Sequence, residues 1–369
     1  MGRGTWSCPC VCEMTLAELR IEDLRCIETA ELQFGSGINL IFGANGAGKT
    51  SILEAAFLLG RGRSFRTRSN ERLIRHGQAY CRAIGRTGGE LPQSLGIEAR
   101  RDRESESGTA ARLNGAAVRS YADLATAFPV QVLDPDAHKL IEDSATRRRR
   151  WLDWVVFHVE PPFASAWARY QRALLQRNAA LKRGLASLDT WDYELAKEGE
   201  VLSASRERVL AALQPYWAEL TTELLGLDLS LGYAAGWDQS VPLVDALAVS
   251  LPRDRDRGMT HVGPHRADVS LRIRGKAARE ILSRGQQKLA AVALSLSQLE
   301  FLKAEHNLRP TLLLDDPSAE LDQERLGRFI TRVQALETQI LVTALERDYR
   351  LFGQPEHVFH VEQGRVIRV

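Results

Sequence analysis

The 369-residue sequence has no stretch near the roughly 18 to 20 consecutive apolar residues needed to cross a bilayer, so nothing in it reads as a transmembrane helix. Sustained heptads are missing, which argues against a long coiled-coil arm. Neither an internal repeat nor a low-complexity linker is visible. Net charge is almost absent: 49 basic against 47 acidic residues leave +2, so affinity for nucleic acid must reside in local patches. Lysine is scarce, 7 residues against 42 arginines, a skew that a GC-rich genome produces as readily as phosphate recognition does. Cysteine is sparse too, at Cys8, Cys10, Cys12, Cys26 and Cys81. The Cys8–Cys12 run resembles half of a metal site, but no second Cys/His cluster follows at ligand spacing. His261 and His265 have helical ligand spacing, yet Gly263-Pro264 between them breaks any helix. Residues 1–13 lack the apolar core of a signal peptide, whereas Met14-Thr-Leu-Ala-Glu-Leu-Arg-Ile opens a sensible first strand. We therefore expect 1–13 to be a non-native extension ahead of a natural start at Met14, in a reduced, cytoplasmic protein with no membrane partner.

What is present is an ordinary globular composition, 44% hydrophobic and 26% charged, long enough for one large or two modest domains. Its most informative stretch is Gly43-Ala44-Asn45-Gly46-Ala47-Gly48-Lys49-Thr50, which fits G-x-x-x-x-G-K-[ST] at every fixed position. Ile38–Phe42 before it reads as a buried strand, and Ser51–Leu59 after it as a helix. In that context the glycines let backbone amides wrap phosphate oxygens, and the helix N-terminus adds partial positive charge. Lys49 then reaches the β- and γ-phosphates, Thr50 ligates Mg²⁺, and Ser51 completes the binding loop. The chemistry implied is nucleoside triphosphate binding.

From Met14 to about residue 120 the pattern is short strands around this helix: Leu16–Arg25, Thr29–Phe34, and a Leu95–Leu113 hairpin with a polar tip. From Arg147 to Leu225 the period is helical, with interruptions expected at Pro161-Pro162 and Gln214-Pro215. Trp167, Tyr170, Leu174 and Leu181 share a helix face and read as core. Strand-like alternation returns at Ala267–Arg274. The fold expected is an α/β nucleotide-binding lobe, residues 14–125 with 300–369. A mainly helical lobe, 126–299, is inserted in it.

The last hundred residues carry a second set of motifs. Leu282-Ser283-Arg284-Gly285-Gln286 opens an amphipathic helix, Gln287–Leu302, whose start again presents amides to an anion. Thr311-Leu-Leu-Leu-Asp315-Asp316 is a short apolar strand ending in two carboxylates. It is expected to deliver Asp315 beside the glycine-loop strand to hold Mg²⁺, with Asp316 facing the γ-phosphate to orient or deprotonate the attacking water. Ser318-Ala-Glu320-Leu-Asp322 follows directly. Gln339–Thr343 then ends in a hydroxyl suited to sensing the γ-phosphate.

In this order the segments resemble the ABC-type ATPases, with Leu-Ser-Gly-Gly-Gln-like and Ser-x-Leu-Asp-like motifs in these places. The resemblance implies an ABC-type ATPase head in which two subunits sandwich two ATP molecules. Ser283, Arg284, Gly285 and Gln286 would complete the partner's site, with Ser318, Glu320 and Asp322 as the D-loop and Thr343 as γ-phosphate sensor. Further segments narrow the match: Arg63-Ser-Phe-Arg-Thr67, Phe128-Pro-Val-Gln, Arg148-Arg149-x-Trp-Leu-Asp153, Gly263-Pro-His-Arg-Ala-Asp268 and Phe359–Gly364. From Met14 onward the chain resembles the RecF family of bacterial DNA replication and repair proteins. That implies a weak, DNA-stimulated ATPase that dimerises on DNA with ATP and Mg²⁺. It would act with RecR and RecO to help RecA load at single-strand gaps.

The nearest rival readings are an ABC transporter's nucleotide-binding subunit and an SMC-like defence ATPase. The long helical insertion tells against the first. The second would bring a carboxylate-rich nuclease module that this sequence does not contain. For DNA contact, Arg61–Arg86 holds eight arginines against one acid, Glu71, the longest stretch dominated by one sign. Arg68, Arg72 and Arg75 are the expected phosphate contacts, while Arg63 and Arg66 are better suited to ATP itself. Arg147–Arg150 offer either DNA-phosphate contacts or a structural hinge pairing with Glu142, Asp143 and Asp153, and the hinge is the favoured reading.

Overall fold

A computed structural model of the chain describes residues 14–101, 108–319, 323–347 and 353–369. Strands β1 (Leu16–Leu24), β2 (Ile27–Gln33) and β3 (Ile38–Phe42) lead into α1 (Lys49–Arg61). Next come β4 (Tyr80–Thr87), β5 (Ser94–Arg100), β6 (Thr109–Leu113), β7 (Ala116–Ala117), α2 (Tyr121–Ala127) and β8 (Val130–Leu133). A mostly helical stretch follows: α3 (Lys139–Glu142), α4 (Ala145–Val159), α5 (Phe163–Lys182), α6 (Asp189–Leu225), β9 (Ser230–Ala234) and α7 (Leu243–Arg257). Then β10 (Asp268–Ile273), β11 (Lys276–Ala277) and α8 (Ala278–Ile281) precede the long α9 (Arg284–His306). The last elements are β12 (Thr311–Leu314), α10 (Gln323–Ala335), β13 (Ile340–Ala344), β14 (His357–Glu362) and β15 (Arg365–Arg368).

These elements form two compact units. One takes the described residues up to Asp136 and from Lys303 onward, the other Ala137–Leu302. The first crossing falls later than residue 125 because β8 pairs with β12 and so belongs to the first unit.

The first unit holds two six-stranded sheets. One is antiparallel, ordered β2-β1-β4-β5-β6-β7. Its strands alternate, with Leu19, Ile21, Ala83, Leu95 and Ile97 turned into the core and Arg82 bridging Glu22 and Glu98 on the other face. The other sheet, β15-β14-β3-β13-β12-β8, is parallel except for the β14–β15 pair. Its central strands are apolar on both faces, as strands covered on both sides must be. Ile52, Leu53, Ala55, Ala56 and Leu59 of α1 pack into the same core as the antiparallel strands, each large side chain worth about 1.5–3 kcal/mol of burial.

Gln339 joins the two sheets. Its Oε1 accepts from Leu16 N (2.7 Å) and Thr311 Oγ1 (2.9 Å), and its Nε2 donates to Leu16 O and Gly35 O, both at 2.8 Å. Replacing a fully paired buried amide by an apolar group of like shape orphans several polar groups at about 1–3 kcal/mol each. Gln339→Leu should therefore lose about 3–5 kcal/mol in urea unfolding at unchanged m value. A loss below about 1 kcal/mol would show that the backbone groups find other partners.

In the helical unit, Pro161-Pro162 separates α4 from α5, but Gln214-Pro215 does not interrupt α6, which runs unbroken for 37 residues. Pro215 and Ala211 are exposed, so the carbonyl that loses its partner lies on a face that solvent reaches. Leu213, Trp217 and Leu220 are meanwhile fully buried on the opposite face. Buried arginines are matched to carboxylates: Arg177 to Asp192 (2.5 Å) and Asp254 (2.6 Å), and Arg206 to Asp153 (2.7 Å). Tyr170, Leu174 and Leu181 are buried as expected of the core face, whereas Trp167 is only half-buried.

His261 and His265 do not converge as ligands. His261 Nδ1 meets Asp254 (2.8 Å), while His265 lies between Tyr170 Oη (2.7 Å) and Thr260 O (3.1 Å). Burial pushes the His265 imidazole down to about 4. Its neutral form is thus favoured by folding, and the contribution is complete above the unfolded value near 6.5. As pH falls from there toward 4, the unfolded chain takes up the proton first and stability drops. Urea unfolding across that window should show the loss, and His265→Gln should flatten part of it. An unchanged acid limb would remove His265 from the account.

Candidate nucleotide-binding site

The loop after β3 turns on glycine. Gly43, Gly46 and Gly48 have φ of 154°, 78° and 118°, and a Cβ on Gly43 would lie 2.2 Å from Val361 O. Ala44, Asn45 and Gly46 form an exposed tip, while Ala47, Gly48, Lys49 and Ser51 are buried. No side chain caps α1, so its first amides and the positive end of its dipole face the loop. Lys49 Nζ donates to Gly43 O (2.7 Å) and Ala44 O (3.0 Å). Burial lowers its pKa, and Asp316 and Asp315 oppose that by favouring the charged ammonium.

Asp315 follows β12, and β13 stands between β12 and β3. Asp315 nevertheless reaches the loop: Thr50 Oγ1 donates to both of its oxygens at 3.0 Å. Thr343 on the intervening strand fills the gap. Its hydroxyl donates to Asp315 Oδ1 (2.8 Å) and accepts from Asp316 N (2.9 Å). Fully buried, it fixes the orientation of both acidic residues. Asp316 sits at φ 48°, left-handed backbone that is strained for a non-glycine, and Ser318 Oγ donates to its Oδ1 at 3.0 Å. Glu320 and Asp322 lie outside the described residues.

In the helical unit, Ser283 and Gln286 form a reciprocal cap on α9. Ser283 N donates to Gln286 Oε1 (3.0 Å) and Gln286 N to Ser283 Oγ (3.4 Å). The cap explains why the helix starts at Arg284 rather than Gln287. Ser283, Arg284 and Gly285 are exposed, and a Cβ on Gly285 would meet nothing within 4 Å.

The arginine segment is partly neutralised from outside its own stretch. Arg75 pairs with Asp23 (2.8 Å) and Glu28 (3.5 Å), which a local charge count misses. Arg68 and Arg72 are exposed. Of the Arg147–Arg150 run, Arg147 meets Asp143 (2.6 Å) and Arg149 donates to Ala267 O (2.6 Å). Arg148 takes Asp268 rather than Glu142 or Asp153, at 2.8 and 3.0 Å, since Asp153 is held by Arg206.

Sequence reading overlooked the turn between β1 and β2. Cys26 Sγ lies 3.9 Å from Ala47 O of the glycine loop, and Arg25 grips Glu54 of α1 at 3.0 and 3.1 Å. The available signal was Glu54 itself, a carboxylate in the middle of an apolar helical run.

The RecF/RecN/SMC N-terminal domain profile matches residues 15–365. The DNA replication and repair protein RecF of Cellvibrio japonicus is 39% identical, covering 96% of this chain and 99% of its own length. The protein of the same name from Pseudomonas fluorescens is also 39% identical, over 96% and 98%. Among solved structures, the ATP complex of the recombination mediator RecF, of the RecFOR pathway, superposes with a TM-score of 0.86 at 27% identity. It covers 97% of this chain and 98% of that one. An Smc head bound to the C-terminal winged-helix domain of ScpA shares the fold, with a TM-score of 0.59 at 18% identity over 96% and 97%.

Proposed function

The chain belongs to the RecF family, and from that premise we propose that it is an ATP-dependent DNA-binding protein of replication and recombinational repair. In this reading it dimerises on gapped DNA with ATP bound and, with RecR and RecO, helps RecA load there. The observation that carries the reading is the convergence of Lys49, Thr50, Asp315, Asp316 and Thr343 around one glycine loop.

The residues present suit Mg²⁺. The Thr50 hydroxyl and the Asp315 carboxylate are hard oxygen donors already within 3.0 Å of each other. Bound there with ATP, the ion would neutralise charge on the phosphates. The chain's own part follows from the geometry. Lys49 exchanges two loop carbonyls for phosphate oxygens, and the α1 amides cradle the phosphate chain. Asp316 accepts a hydrogen bond from the attacking water and orients it. Thr343 acts through the Asp315 carboxylate and the Asp316 backbone N–H that it holds. Between the two ends of the Ser283–Gln286 cap, the exposed Arg284 and Gly285 offer their amides to the partner subunit's nucleotide, which makes ATP the link between subunits.

Sedimentation tests the reading. The protein should be dimeric with ATP and gapped duplex together, and a monomer under every condition would overturn it. Salt dependence then tests the DNA surface. Arg68→Gln with Arg72→Gln should reduce the slope of log K against log salt by about 0.9 for each duplex phosphate no longer neutralised. The weakening should be independent of base sequence. Arg75→Gln should do less, because Asp23 and Glu28 already hold that guanidinium. An unchanged slope in the double variant would move the DNA surface elsewhere.

A further inference from the structure

We infer that Arg25 is a positioning residue: with its turn, Asp23–Cys26, it links the nucleotide loop to the arginine segment, so that ATP occupancy sets affinity for the DNA backbone. The inference rests on the function proposed above.

The turn touches both elements. Toward the nucleotide, Cys26 Sγ lies against Ala47 O, and the Arg25 guanidinium binds both carboxylate oxygens of Glu54, which is fully buried on α1. Toward the arginines, Arg25 N donates to Leu73 O (2.7 Å) and Arg25 Nη1 to Arg72 O (3.1 Å). Arg75 N donates to Asp23 O (2.9 Å), and Leu24 forms a lone antiparallel bridge with Ile74. Glu54 makes a second link, since it also accepts a short hydrogen bond from Ser64 Oγ. That hydroxyl in turn caps Arg66 N and Thr67 N at 3.0 and 3.1 Å. One guanidinium and one carboxylate therefore join the helix behind the phosphates to both ends of the segment that presents Arg66, Arg68 and Arg72.

Two further facts speak for a working element rather than filler. Asp23 and Arg25 both have left-handed backbone, φ 49° and 57°, in a single turn, and such strain in non-glycines persists only where its surroundings enforce it. A charged pair is also an expensive way to fill this space, since well-packed apolar residues of similar volume are often as stable. What an apolar pair lacks is the fork. A guanidinium holds a carboxylate with two nitrogens and still has a third for the Arg72 carbonyl. A shift of α1 on phosphate binding is thus passed to the backbone that carries the arginines.

The test compares coupling, not activity. Affinity for a gapped duplex oligonucleotide is measured with and without a non-hydrolysable ATP analogue, and the analogue's affinity with and without DNA. Thermodynamic reciprocity requires the two ratios to agree, and roughly 5- to 150-fold is usual for coupled sites. Arg25→Lys keeps the charge beside Glu54 but loses the fork. Arg25→Met with Glu54→Leu removes both charges, so that folding does not fail on an unpaired buried carboxylate. In each, both ratios should fall to below about twofold, because the link between the coupled sites is cut. A merely structural role would lower stability and leave the ratio at the parent value, which would overturn the inference alone. A parent protein with no coupling would overturn the function proposed above and this inference with it.

Discussion

Asp316→Asn protein should bind ATP and hold the dimer while its turnover falls by about 10²- to 10⁴-fold, the usual contribution of a positioned general base. The substitution is nearly isosteric, and asparagine tolerates the left-handed backbone at this position, where φ is 48°. The backbone N–H still reaches Thr343 Oγ1, and the amide oxygen still accepts from Ser318. What is lost is the negative charge to which the proposed function assigns the attacking water. Lys49→Ala should behave differently, losing nucleotide binding and ATP-dependent dimerisation together, because the proposed function has Lys49 hold the γ-phosphate and makes that phosphate part of the subunit contact. Single-turnover hydrolysis and sedimentation separate the two outcomes. Parent-rate turnover in Asp316→Asn would show that another group activates the water.

The contrast between Asp316 and Arg25 shows what a sequence reveals about such a site. Gly43–Thr50 and Asp315-Asp316 were legible because phosphate binding demands particular residue types at fixed spacing, and chain order supplied the context. The neighbouring strand was not legible. Nothing in Thr311–Leu314 says that β13 will stand between it and β3, since parallel partners are chosen by crossovers over tens of residues. Thr343 could be named as a polar strand end, but its bonds to Asp315 and Asp316 follow from that sheet order. Pro215 misled for a related reason. Local propensity opposes a helix there, yet the packing of Leu213, Trp217 and Leu220 outweighs one missing hydrogen bond on an exposed face. Local charge counting failed at Arg75 because its acids lie on β1 and β2, far away in sequence but adjacent through the turn. The general limit is that periodicity and motif spacing are local, whereas strand order and ion-pair partners are set by tertiary packing.

Ser283→Arg should abolish ATP-dependent dimerisation while the monomer still binds ATP. Ser283 is exposed and lies in the helical unit, whereas Lys49 and Thr50 lie in the other. A bulky side chain at the start of α9 removes the approach of a partner's phosphates to those amides. It also removes the Ser283–Gln286 cap, which costs about 0.5–2 kcal/mol. Ser283→Ala is the control for that loss, since it breaks the cap without adding bulk and should keep measurable dimerisation. Mixing Ser283→Arg with Lys49→Ala sharpens the test. If completion occurs in trans, a heterodimer of the two variants has at most one competent composite site, formed by Lys49 of one chain and Ser283 of the other. Such mixtures should regain partial dimerisation and partial ATPase activity, although neither variant has either alone. Failure of the Ser283→Arg monomer to bind ATP at all would assign the segment a role within its own chain instead.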